Sequence, residues 1–120
     1  MLIDNQKQVK ELLQQMKEQL PIPALATDGL VRSMKRQLPQ LRRQRQLLIK
    51  SVLYIGDEGG IMCDITPDGA ESAVLCSLTH VEIPDDHPLA AEIQAYQQAR
   101  IQKLTALGAG KPQRFTLRPR

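Results

Sequence analysis

Cys63, Cys76, His80 and His87 are the residues of this 120-residue chain from which nucleophilic or metal chemistry would most readily be built. Cys76 and His80 stand four positions apart, and an imidazole beside a thiol could generate a nucleophile. That pair would need a pocket, which a small antiparallel sheet seldom offers. His87 follows Asp85 and Asp86, but side chains of adjacent residues rarely converge on one ion. The reading we adopt is that His87 caps a helix and that His80 packs at a sheet edge. Neither cysteine has the close second Cys or His of a zinc site, so both are expected to be buried, reduced hydrophobes. "GDEGG" at 56–60 has neither phosphate-loop nor dinucleotide spacing, and its acids would repel phosphate. No catalytic residue, metal or cofactor is therefore expected, and the chain does not read as an enzyme.

Binding chemistry is better represented. "RSMKRQLPQLRRQRQLLIK", Arg32 to Lys50, holds seven basic side chains and no acid. Arg32, Lys35, Arg36, Arg42, Arg43 and Arg45 are its candidate contacts to nucleic acid or another anion. The formal charge is only +3, and its layout is more informative than its sum. Residues 51–92 contain nine acids and no Lys or Arg, whereas residues 93–120 contain six basic residues and no acid. A nucleic-acid module usually keeps a net basic surface, since phosphate neutralisation supplies much of the affinity. The basic run also lacks interleaved aromatics on which bases could stack. Pairing with acidic groups of the same or a second chain is the favoured reading, with RNA or DNA binding the alternative.

These residues must be held by a small set of elements. Val9, Leu12, Leu13, Met16 and Leu20 recur at helical spacing, predicting a helix over 4–20 capped by Asp4 or Asn5. "PIP" at 21–23 should end it. A second helix should start at Thr27 or Asp28 and carry Leu30, Val31, Met34, Leu38 and Leu41. Pro39 should kink or break it, with a fresh turn over 41–46. The period then changes. "LLIKSVLYI", "IMCDIT" and "ESAVLCSLTHVEI", separated by turn residues, predict a three-stranded antiparallel meander. "TPDG" suits a turn with Pro67 at its second position.

A five-residue loop at 56–60 would pair Ile55 with Ile61 and Leu53 with Cys63. Tyr54, Met62 and Asp64 then fall on the other face. In the simplest registers Cys63 and Cys76 are on opposite faces or out of step, which argues against a disulfide. A bulge near Thr79 or His80 would reconcile the two apolar phases of the third strand. The last helix should begin at Pro88, with Leu89, Ile93, Tyr96, Arg100 and Leu104 lining one side and Gly108 as its stop.

"LYIGDEGGIMCDI", "SLTHVEI" and "HPLAAEIQAYQQARIQKL" resemble small conserved cyanobacterial proteins without an assigned activity. The resemblance covers residues 47–107. It implies a cytosolic cyanobacterial setting and transfers no site residue.

At 120 residues the chain should form one α+β domain over 1–108, in the order α-α-β-β-β-α, with a flexible basic tail at 109–120. Its aromatics are Tyr54, Tyr96 and Phe115, so the core must be aliphatic. No apolar run is long enough to span a membrane, and no charged segment precedes an apolar run at the start. With only three strands, one sheet face should stay partly uncovered, exposing Val52, Tyr54 and Met62. An apolar patch of that kind commonly marks an interface. The expected function is a non-catalytic interaction or assembly module that acts as a cytoplasmic homodimer or binds another protein.

Overall fold

A computed structural model describes residues 5–56 and 59–109. Helix α1, Gln6–Gln19, begins where the Asn5 side chain accepts the Gln8 N–H at 3.0 Å. Asp4, the other candidate cap, lies outside the described residues. Val9, Leu12 and Met16 bury the helical stripe, and Leu13 and Leu20 pack partly against the same core.

The prolines after α1 do more than stop it. Ile22–Ala26 is a strand, β1, which the sequence reading missed. It buries Ile22, Ala24 and Ala26 and turns Pro23 and Leu25 outward. Prolines fit because of where the ladder bonds fall. The Ala26 N–H donates to the Arg45 carbonyl and the Thr27 N–H to the His80 carbonyl. Antiparallel bonds alternate, so Pro23 lies at an unbonded position toward the first partner. Toward the second, the bonded position after Leu25 and Glu82 would set Pro23 against Pro84. Neither has an N–H, and the ladder ends.

Helix α2, Asp28–Ser33, starts at Thr27, whose hydroxyl accepts the Leu30 N–H at 3.2 Å and donates to the His80 carbonyl at 2.9 Å. Pro39 does break the helical path, opening a 3-10 turn over Pro39–Arg42 that buries Leu41. The fresh helical turn does not reach Gln46, because Gln46 already begins a strand.

That strand, β2 (Gln46–Ile49), is followed by β3 (Ser51–Tyr54), β4 (Ile61–Asp64), β5 (Leu75–Ser77), β6 (Val81–Glu82) and helix α3 (Ala90–Ala109). The fold is α+β, with a C-terminal helix as expected, but it has two three-stranded antiparallel sheets. Their orders are β2-β1-β6 and β3-β4-β5. The second is the predicted meander. Its outer two segments each bend and deliver their far half to the other sheet.

The first bend is at Lys50. Its N–H donates to the Asp64 carbonyl at 2.8 Å, although Asp64 is the partner of Ser51. Two residues thus oppose one, the geometry of a bulge, which bends and twists the strand. The second bend lies where a bulge was expected near Thr79. A 3-10 turn, Leu78–His80, makes the change of phase instead and lets both Leu78 and Val81 be buried. Gln97 of α3 fastens it by donating to the Leu78 and Val81 carbonyls at 2.8 and 2.7 Å.

The expected register of the first hairpin is wrong by one residue. The Ile55 N–H bonds to the Gly60 carbonyl, so Tyr54 faces Ile61, Leu53 faces Met62 and Val52 faces Cys63. A one-residue slip inverts every side chain of a strand. Val52 is consequently buried at 6% exposure, while Leu53 and Ile55 turn outward. The second turn is also displaced. Pro67 occupies its first position, the Ala70 N–H bonds to the Pro67 carbonyl, and Gly69 (φ 83°) supplies the left-handed residue.

Leu89, just before α3, and Ile93, Tyr96 and Arg100 on it are buried, all of them expected along one side of the helix. Leu104 does not join them. It is 41% exposed and Ile101 48%, so the helix continues past the body it packs on. It also continues through Gly108 to Ala109, and the tail from residue 110 lies outside the described residues.

Candidate interaction surfaces

Chemistry first fails at the thiols. Cys63 and Cys76 are direct cross-strand partners on β4 and β5, neither on opposite faces nor out of step as the sequence suggested. Both are nonetheless free and buried. Burial pushes both thiols up, with the neighbouring Cys76 adding to the effect at Cys63; Cys76 reaches about 11. Thiolate, the nucleophilic form, is therefore scarce at neutral pH. His80 sits exposed in the 3-10 turn, and among the described residues no hydrogen bond links it to Cys76.

His87 serves the entry to α3. Its Nδ1 accepts the Leu89 N–H at 3.0 Å, and its carbonyl accepts the Ala90 N–H. Asp85 accepts from Gln94 at 3.1 Å. Among the described residues no group of three or more His, Cys, Asp or Glu side chains is placed to hold a metal ion.

The basic run is divided by structure. Arg45 pairs with Asp28, and Lys50 pairs with Asp68 at 2.8 Å. The Arg45 hydrogen bond and charge hold Asp28 below the usual carboxylate range, with a smaller pull from Arg32. Lys50 does the same for Asp68. At Asp64 the principal cause is Thr66, whose hydroxyl and N–H both donate to the carboxylate, while Lys50 adds a smaller pull. Arg32, Lys35, Arg36, Arg42 and Arg43 are exposed on α2, the following turn and the 3-10 turn. None of these five makes an ion pair among the described residues. Among the described residues, the expected pairing with the chain's own acids accounts for Arg45 and Lys50 alone.

The expected apolar face must also be redrawn. Val52 is buried, Tyr54 is half-buried on the same side, and Met62 lies on the opposite face. The outer face of β3-β4-β5 instead presents Leu53, Ile55 and Leu75, exposed by 42, 51 and 44%, around the half-buried Met62. Leu53 is Met62's cross-strand partner, and Leu75 is its diagonal neighbour on β5. A Cβ placed on Gly59 would run into Ile55 and lie 3.4 Å from the Met62 sulfur, so those two flank it. The signal that could have found this face is the pairing of β-branched Val52 with the small, buried Cys63.

A third surface was not anticipated. A groove of about 760 Å³ runs beside β2, lined by Leu25, Leu48, Leu38, Leu41 and Ile65 among others, with the Lys50–Asp68 pair at its margin. Among the described residues no helix is long and apolar enough to cross a membrane. No protein-family model, curated protein or solved structure matches the chain, so the resemblance of residues 47–107 to cyanobacterial proteins draws no support from such comparisons.

Proposed function

We propose that the protein is a non-catalytic assembly module that pairs with a second copy through the outer face of β3-β4-β5. The observation that carries this reading is the cluster of Leu53, Ile55, Met62 and Leu75 on one uncovered sheet face. Exposed apolar patches rimmed by polar groups commonly mark interfaces. Ser51, Asp64 and Ser77 are the polar residues on the same face beside it. Isologous pairing is the commonest route to a homodimer. Light scattering at micromolar concentration should give twice the 13.5 kDa chain mass. Leu53→Asp with Leu75→Asp should return a folded monomer, because both positions are exposed in the single chain. A wild-type monomer at high concentration would remove the reading.

A second reading, nucleic-acid binding, rests on the five exposed cations that make no ion pair among the described residues. Arg36→Gln, Arg42→Gln and Arg43→Gln together remove three of these charges. The log–log dependence of RNA affinity on salt should then weaken by about two to three units. RNA binding that is absent, or insensitive to salt, would dispose of it.

A further inference from the structure

We infer, on the assembly reading above, that the outer face of β3-β4-β5 is covered by the projecting end of α3 from a second copy. Two copies would exchange these helix ends reciprocally. Helix α3 carries its buried stripe at Ile93, Tyr96 and Arg100, and Leu104 is the next residue at helical spacing. The stripe thus outlasts the core it packs on. Leu104 is 41% exposed and Ile101, one turn earlier, is 48% exposed. Neighbouring large aliphatic side chains left in water at a helix end are a surface that association would bury.

The tip of the β3-β4 hairpin fixes where that end lies. The Tyr96 hydroxyl accepts the Ile61 N–H at 2.9 Å, and a Cβ on Gly60 would meet the Tyr96 hydroxyl and the Arg100 guanidinium. Arg100 is therefore level with the tip, and Ile101 to Ala109 follow it along the helix. Gly59, one residue away, lies against Ile55 and near the Met62 sulfur, where the outer face begins. Because Leu53, Ile55 and Leu75 are exposed, α3 does not lie over that face in its own chain. Two uncovered apolar surfaces thus adjoin one hairpin tip, on opposite sides of the sheet.

That arrangement closes under two-fold symmetry. An axis across the tip, in the plane of the sheet, exchanges the two sides and carries each helix end onto the other copy's outer face. The lengths match. From Ile101 to Ala109 the helix rises about 12 Å, and from Ile55 to the row of Ser51, Asp64 and Leu75 the strand spans about 13 Å. Charge matches as well. Residues 93–109 hold Arg100 and the exposed Lys103 with no acid, whereas residues 51–92 hold nine acids, Asp64 among them, with no Lys or Arg. Pairing helix end with helix end would bring the two Lys103 side chains together with no acid between them. Stacking face on face would leave Ile101 and Leu104 in water.

Light scattering on the full chain tests the exchange with two double variants. Ile101→Glu with Leu104→Glu alters only the helix end, and Leu53→Asp with Leu75→Asp alters only the face. All four positions are exposed, so each variant should still unfold cooperatively. Each alone should be monomeric, with self-association at least about 100-fold weaker, because both contacts of the pair lose buried apolar side chains. An equimolar mixture should form dimers at concentrations where neither variant pairs alone. The face variant keeps its helix end and the helix variant keeps its face, which leaves one whole contact of the two. The mixed pair should recover at least about ten-fold of the lost affinity.

A dimer that survives Ile101→Glu with Leu104→Glu but is lost in the face variant would overturn the exchange while leaving face-to-face pairing of copies. A mixture that stays monomeric would overturn it too. Mass that climbs beyond two chains with concentration would show open head-to-tail growth in place of a closed pair. A monomeric wild-type chain would remove the assembly reading and the exchange together. If the glutamate variant does not fold, Ile101→Ala with Leu104→Ala takes its place, and a dimer undiminished by those truncations is equally decisive.

Discussion

Val52→Ala removes two methyl groups from a side chain that is 6% exposed and faces Cys63 across the hairpin. Transfer of those groups back to water costs about 1.6 kcal/mol at about 0.8 kcal/mol each. Incomplete collapse of the space they leave adds about 1 kcal/mol, taking about 40 Å³ at roughly 24 cal/mol per Å³. The total, about 2.5 kcal/mol, corresponds to a melting temperature lower by about 10 °C for a domain of this size. Leu53→Ala, at a position 42% exposed, should cost the isolated chain less than about 0.5 kcal/mol. Thermal and urea unfolding followed by circular dichroism would measure both, across a range of protein concentrations. Any share of the Leu53 effect that comes from pairing of copies grows with concentration and so separates from the chain's own stability. A larger effect for Leu53→Ala than for Val52→Ala at the lowest concentration would restore the register in which Leu53 faces Cys63.

Gly60→Ala should lower stability by about 1–3 kcal/mol, because Gly60 has φ 66° and a Cβ there would meet the Tyr96 hydroxyl and the Arg100 guanidinium. Gly56→Ala, with open space around it, should cost less in the same melts. Gln97→Leu strips the Leu78 and Val81 carbonyls of a shared donor and should cost about 1–3 kcal/mol in urea unfolding. Asp28, Asp64 and Asp68 all have carboxyls held below their usual range, so their contribution is complete above about pH 4 and is lost as acid titrates them. Asp28→Asn with Asp68→Asn should flatten the fall in melting temperature below pH 4, and an unchanged slope would contradict this. Cys63 and Cys76 should resist a thiol reagent at pH 8 until the chain is unfolded; rapid labelling of the native protein would contradict their burial.

Much of the helical structure was legible because it follows local rules. Asn5 and Thr27 carry side chains that can accept N–H groups of a first turn, and Val9, Leu12 and Met16 repeat at the right spacing. The strands were harder. "PIP" obeys the local rule that prolines end helices, yet its place in β1 depends on bonds to residues far along the chain. The division of "LLIKSVLYI" between two sheets turns on Lys50 and Ser51 both facing Asp64, and composition does not encode such a bulge. The five-residue loop read at 56–60 placed Val52 at the surface, whereas the pairing of Ile55 with Gly60 turns it inward. The cations of residues 32–50 are all exposed. Which of them would meet an acid required knowing that Asp28 approaches Arg45 and Asp68 approaches Lys50.

The central place of β1 also constrains the order in which the chain can acquire its structure. Its strand partners are β2, a modest loop away, and β6, which follows every other strand in the chain. During synthesis, Ile22–Ala26 can pair first with Gln46–Ile49, leaving the far edge of β1 bare. That edge stays open until Val81 and Glu82 emerge. Distant pairings of this kind slow folding, because loop closure must be met before the contact stabilises it. The short reach of the β1–β6 ladder then becomes an advantage, since a bare edge interrupted by Pro23 is a poor template for a neighbouring chain.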